Sequence, residues 1–184
     1  MDVFEAIRER RSIRQFQPAP VSDDDLNKIL EAARYAPSWH NSQCWRFVIV
    51  KSPEMKQKLS ATIVSTNRGS TAVLQAPVVI GLCAEPGISG YIRGELVSDK
   101  GETWYMFDVA LAAQNIALAA QALGLGTLNI GYFDSVKAGE ILGLPENIVM
   151  VELIPLGYPE GKANTPARKE LSELVSYEKY GNKK

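Results

Sequence analysis

From about Thr103 to Leu123 the chain runs TWYMFDVALAAQNIALAAQAL, rich in alanine and apolar nearly all the way round a helix. A helix of that kind has no face to give to water, so it needs cover on every side, at a domain centre or a subunit interface. The apolar stretch from Val109 to Gly126 is interrupted by Gln114, Asn115 and Gln121, which would be costly against lipid, so the cover is protein. Gly124 is its natural C-terminal stop.

The cover comes from an alternation of helices and strands. Asp2 is placed to cap a first helix, with Glu5 at its third position and Val3, Phe4 and Ile7 on one face, reaching about Arg10. Beyond Pro18 and Pro20, Ser22 caps a second, whose Leu26, Ile29, Leu30 and Ala33 keep helical spacing and which Pro37 ends. Trp45 to Val50 reads as a strand, and Ser52-Pro53 opens a third helix. Ala76 to Cys83 is a short apolar run between breakers, the mark of a central strand covered on both faces. Between Ala84 and Glu102, four glycines and little periodicity predict a loop lying over something. Leu128 to Ile130 fits a strand, Ser135 caps a helix ending near Gly143, and Val149 to Leu156 makes a last strand. The stretch 157–184 is mostly polar, although Leu171, Leu174 and Val175 could dock, and it reads as a tail that reaches a partner subunit.

At 184 residues the chain fits one domain, 1–184, able to bury roughly two-thirds of the surface that its unfolded form exposes. A net charge of -1 lacks the basic excess by which a sequence-independent nucleic-acid binder displaces counterions. The opening MDVFEAIRERRSIRQF is charged from its second residue and offers no apolar stretch of the secretory kind, so a cytoplasmic location is expected. Cys44 and Cys83 form no CxxC pair, and two reduced thiols are expected.

Three segments could carry chemistry. Arg10-Arg11-Ser12-Ile13-Arg14 sets three guanidinium groups and a hydroxyl within five residues, a donor density suited to an anion such as phosphate. The same cluster also reads as a solvated helix end whose cations oppose the C-terminal dipole. Ala36 to Trp45 holds Ser38, His40, Asn41, Ser42 and Gln43 between a helix end and a strand start, either to line a pocket for a polyol and a ring edge or to cap local backbone. His40 is the only histidine, so neither a histidine metal site nor a Ser/His/Asp triad is expected, and no GxSxG elbow accompanies a serine. Gly124 to Gly131 enters a strand from a helix, the reverse of a Rossmann phosphate loop. It suits a close approach of bare backbone to a flat ring.

Taken in order, Arg10-Arg11-Ser12-x-Arg14, Ala36-Pro37-Ser38-x-x-Asn41-x-Gln43-x-Trp45, Gly124-x-Gly126-Thr127 and Gly157-Tyr158-Pro159 with Arg168 beyond, the chain resembles the nitroreductase family over nearly its whole length. The resemblance implies an α+β fold of three layers, α/β/α, around a mixed, mainly antiparallel sheet. It also implies an obligate homodimer with two FMN sites at the subunit interface. On that likeness Arg10, Ser12 and Arg14 contact the FMN phosphate and ribityl chain, with Arg11 beside them and Arg168 as a further phosphate arginine. Pro37, Ser38, Trp39 and Asn41 approach the flavin from the other subunit, supported by Gln43. Asn67 faces the pyrimidine edge, and Gly126 and Thr127 lie against the ring.

The sequence departs from the family pattern at Cys44, where proline is common, and at Pro166, where some members carry lysine. The implied activity is ping-pong hydride transfer from NADH or NADPH through FMN to a nitroaromatic, a quinone or another organic acceptor. Reductive dehalogenation, ring dehydrogenation and a flavin carrier without turnover remain alternatives. The 84–102 segment is short for the region that covers the flavin in larger members, so the acceptor is not carried over.

Overall fold

The first helices begin where a side chain takes up an orphan amide. Asp2 accepts from Glu5 N at 2.8 Å to open α1 (Val3–Glu9), and Ser22 accepts from Asp25 N at 3.0 Å to open α2 (Asp23–Arg34). Ser52 does the same for α3 (Pro53–Ser60), with Pro53 at the first position. The computed structural model describes residues 1–161 and 163–183; positions 162 and 184 of the 157–184 tail lie outside it.

The sheet runs β1 (Trp45–Val50), β2 (Val78–Ala84), β6 (Val149–Gly157), β5 (Gly126–Thr127), with every neighbouring pair antiparallel. A parallel bridge from Ser12 to Thr127 makes it mixed. Because strand side chains alternate, β2 serves two cores at once. Val78, Ile80, Leu82 and Ala84 enter the cluster formed with α2 and α5 (Tyr105–Ala122). Val79 and Cys83 enter the other, with α3, α4 (Gly69–Gln75) and α6 (Ser135–Leu142). Helices on both faces of a mainly antiparallel sheet give the α+β, three-layer fold that the sequence implied, with β2, buried at every residue, at its centre. Among the described residues no helix is long and apolar enough to cross a membrane.

One irregularity bears on the site. Leu82 pairs with Glu152 but Cys83 pairs with Met150, so Val151 is an extra residue in β6. Such a bulge reverses which parity faces which layer. Val149 and Val151 face the α2/α5 cluster before it, and Ile154 and Leu156 after it.

Several sequence expectations need correcting. The strand placed at Leu128 to Ile130 is two residues earlier, at Gly126–Thr127, and Ile130 makes only an isolated bridge to Leu153. Asp134, not Ser135, caps α6 by accepting from Lys137 N at 3.0 Å. The supposed loop after Ala84 contains a hairpin, β3 (Tyr91–Ile92) with β4 (Glu95–Leu96). The helix α4 was not expected. In the tail, α7 (Leu171–Leu174) forms, but Leu171, Leu174 and Val175 stay exposed.

Gly157 sits where β6 passes under the N-terminal segment, and a methyl there would lie 2.5 Å from Pro77 Cδ and 3.1 Å from Phe16 Cδ1. Both are parts of rings that cannot swing aside. Gly157→Ala is expected to lower the unfolding free energy by about 1–3 kcal/mol, seen as a lower urea midpoint with an unchanged slope.

Candidate functional site

Beyond α1 the chain turns and lies along the sheet edge. Ile13 N donates to Thr127 O at 2.9 Å, Gln17 N to Tyr158 O at 2.9 Å, and Glu160 N to Gln15 O at 2.9 Å. This pairing carries Arg10, Ser12 and Arg14 to one wall of a cavity of about 500 Å³. Arg68 and Thr71 come from the start of α4, and Arg168 from the tail. Arg11 also lines it, but its Nη1 donates to Arg8 O and Arg10 O, both at 2.7 Å, and its Nε to Thr165 Oγ1 at 3.1 Å. The helix-end reading therefore fits Arg11, whereas the other arginines are offered to the cavity.

Among the described residues five guanidinium groups and a single carboxylate, Glu160, share this space. Among the described residues none of the five takes part in an ion pair. Guanidinium is charged at any relevant pH, and a concave surface of one sign concentrates counter-ions. The chemistry fits a multiply charged oxyanion. Pro166, at the position where the family pattern admits lysine, lines the cavity, and its carbonyl accepts from Arg168 Nη1 at 3.2 Å.

The remaining candidates are placed differently. Asn67 turns inward: its Oδ1 accepts from Gly69 N at 2.9 Å and its Nδ2 reaches Tyr132 O at 3.5 Å, so it holds the start of α4 and does not line the cavity. Gly126 and Thr127 are buried, and a methyl on Gly126 would stand 2.3 Å from Ile13 Cγ1 and 3.1 Å from Pro159 Cγ. Backbone expected against a flat ring is thus covered by Ile13, and its glycine serves to seat the arginine strand.

None of Pro37, Ser38, Trp39, Asn41 or Gln43 lines the arginine cavity. They form a tight 3-10 turn, Trp39–Asn41, with His40, Asn41 and Gln43 all left-handed at φ of 43°, 57° and 49°. Ser38 Oγ accepts from Gln43 N at 3.0 Å, and Trp39 Nε1 donates to Tyr91 O at 3.0 Å. Beneath the turn, Cys44 is buried, and desolvation followed by the nearby Asp108 carboxylate pushes its thiol up to about 11, so it stays protonated. The Asn41 and Gln43 side chains are presented outward.

A second cavity, of about 250 Å³, opens beside α5. It is lined by Met106, Ala110 and Gln114 of α5, by Asn129 and Gly131, and by Glu152 at the β6 bulge. Among the described residues Glu152 is the only charged group there, and burial pushes its carboxyl up to about 7. Neither Glu152 nor Arg68 was singled out in the sequence. Arg68 caps the start of a seven-residue helix with no legible period, and Glu152 lies inside a strand whose bulge no local signal announces.

The model describing the nitroreductase family matches residues 7–158. A relative in Archaeoglobus fulgidus with the provisional name NADH dehydrogenase/NAD(P)H nitroreductase is 36% identical over 163 residues, covering 86% of each chain. A nitroreductase family protein from Clostridium novyi NT, known from a crystal structure, superposes with a TM-score of 0.78 at 33% identity, over 100% of this chain and 97% of that one. The NADPH:FMN oxidoreductase of Vibrio harveyi, solved with NAD+, gives a TM-score of 0.83 at 27% identity, over 98% of this chain and 78% of its own.

The raised carboxyl of Glu152 has a readable consequence. Between the ordinary glutamate value of 4.5 and about 7, the folded chain keeps a proton that the unfolded chain releases, so stability falls as pH rises through that window and is level above it. Glu152→Gln is expected to abolish the slope and to be more stable at pH 8 by about 1–3 kcal/mol, measured by urea unfolding across the pH series.

Proposed function

Since the chain belongs to the nitroreductase family, we propose that it is an FMN-dependent oxidoreductase that takes reducing equivalents from NADH or NADPH and delivers them to an organic acceptor such as a nitroaromatic or a quinone. The observation that carries this reading is the cavity of five arginines without ion-pair partners among the described residues. Its donor set fits the phosphate of FMN. Arg10, Arg14 and Arg168 would clamp the phosphate oxygens, with Arg11 and Arg68 adding positive field and Ser12 a neutral donor toward the ribityl chain. Gly126 and Thr127 would act by seating the arginine strand, and Asn67 by fixing the start of α4 that carries Arg68.

When bound, FMN supplies a ping-pong hydride relay between the nicotinamide and the acceptor. The chain's own part is to hold and orient, and its phosphate clamp and outward-facing turn stand in different parts of one protomer. A second copy would bring its Pro37, Ser38, Trp39 and Asn41, supported by Gln43, to the ring, which makes a homodimer the working unit. Apolar surface is available for that contact: Val3, Phe4 and Ile7 of α1 and Met106 and Phe107 of α5 are exposed, Phe4 at 75%. The 157–184 tail, with Leu171 and Leu174 exposed, would extend the same contact from a single domain 1–184. A cytoplasmic location fits a protein supplied by reduced nicotinamides.

The test is an anaerobic absorbance titration of the purified protein loaded with FMN. The flavin band should bleach with NADH or NADPH and return on adding a nitroaromatic or quinone. Flavin that neither nicotinamide reduces would point to a carrier or another donor, and failure to bind FMN would overturn the assignment. Arg14→Ala and Arg168→Ala each remove charge-assisted phosphate bonds of roughly 1.5–3 kcal/mol, so FMN is expected to bind about 10- to 100-fold more weakly, measured by quenching of flavin fluorescence.

A further inference from the structure

Asp108 lies in the first turn of α5 and is 1% exposed, where a carboxylate is costly unless hydrogen bonds surround it. Its Oδ2 accepts from Trp39 N at 3.0 Å and Ser42 Oγ at 3.4 Å, and from Ser89 Oγ in a short bond. The Cys44 thiol lies 3.9 Å from the same oxygen. Three of these donors belong to the turn or its exit toward β1, and the fourth to the segment between β2 and β3. Nothing in α5 itself requires them.

The turn needs an outside anchor. His40, Asn41 and Gln43 hold left-handed backbone without being glycine, a conformation that persists only where the surroundings over-determine it. Its internal bonds are Asn41 N to Ser38 O, Ser42 N to Trp39 O and Gln43 N to Ser38 Oγ, none of which reaches another element. The main tie to α5 is the Asp108 carboxylate, beside a thiol contact from Cys44 Sγ to Tyr105 O at 4.0 Å. The Trp39 indole adds the bond to Tyr91 O and an edge contact with Trp104, ring centroids 5.1 Å apart. Turn, covering segment and central helix thus converge on one oxygen.

We propose that Asp108 is a positioning residue of the cofactor site: it pins the Pro37–Gln43 turn of one copy in the shape that meets the flavin held in the arginine cavity of the other. The inference rests on the FMN reading above. It moves no proton and forms no covalent bond.

Because every donor converges on Oδ2, the conservative variant is informative. Asp108→Asn can place its amide oxygen where Oδ2 stands and keep the acceptor, whereas Asp108→Ala leaves Trp39 N–H and the Ser89 hydroxyl without it. In FMN titrations of the full-length protein, Asp108→Ala is expected to bind FMN at least about tenfold more weakly and to change the visible circular dichroism of the bound flavin, with Asp108→Asn restoring most of both. A purely structural role would lower the melting temperature and leave affinity and dichroism of the folded protein as in the parent, and that result overturns the proposal. If Asp108→Ala does not fold, Ser89→Ala, which removes one donor, decides: weaker FMN binding with altered dichroism supports the anchor, and parental values for both refute it. A parent that binds no FMN overturns the functional reading and this inference with it. A parent that binds FMN beside unaffected variants overturns this inference alone.

Discussion

Five arginines in one cavity repel one another, and what keeps them together is backbone. The bonds from Ile13 N to Thr127 O, Gln17 N to Tyr158 O and Glu160 N to Gln15 O tie the arginine segment to the edge of the sheet and to the chain leaving β6. Gly126 and Gly157 permit the approach, since a methyl on either would collide with Ile13 or with Pro77 and Phe16. The site's charge is held by contacts that are themselves uncharged. One carboxylate, Glu160, offsets little of the repulsion among the guanidinium groups, and an anion brought from outside would relieve the rest, so ligand and clamp would stabilise each other.

The sheet edge is firm because its centre is. Every residue of β2 is buried, and its two faces feed separate cores, so a shift of one residue would send each core's side chains into the other. The β6 bulge is the place where this register is relaxed, and it is where the carboxyl of Glu152 enters an otherwise uncharged cavity. A regular strand would have kept one parity throughout. The extra residue lets Glu152 face α5 while Leu153 stays in the opposite core.

How much of this was legible in the sequence follows from the range of each interaction. Caps at Asp2, Ser22 and Ser52 act over three residues and could be read directly, as could the helical spacing of Leu26, Ile29 and Ala33. At Asp134 and Ser135 two capping residues stand side by side, and sequence alone could not choose between them. The arginine run was visible as density of charge and Arg168 only through the family resemblance, but Arg68 was hidden because the α4 it precedes has seven residues and no clear period. Leu128 and Ile130 looked like a strand by apolarity. The pairing falls instead on Gly126 and Thr127, since the close approach of Ile13 and Pro159 decides the register. Asp108 was the least visible, as its partners Trp39 and Ser42 lie 69 and 66 residues away.

The proposed pairing of one copy's clamp with the other copy's turn gives a reason for α5 to be apolar on nearly every side. Its inner face, with Val109, Ala112, Ile116 and Ala120, fills the core, and its outer face leaves Met106 and Phe107 uncovered. A monomer gains nothing from that exposed face. In the proposed dimer the same face would bring a second copy against the first, and Asp108, on the inner side of the same helical turn, holds the turn proposed to meet the flavin. Burial that joins two chains and the geometry that would complete a cofactor site are then carried by one helix, so a change that loosens the dimer would disturb the site as well.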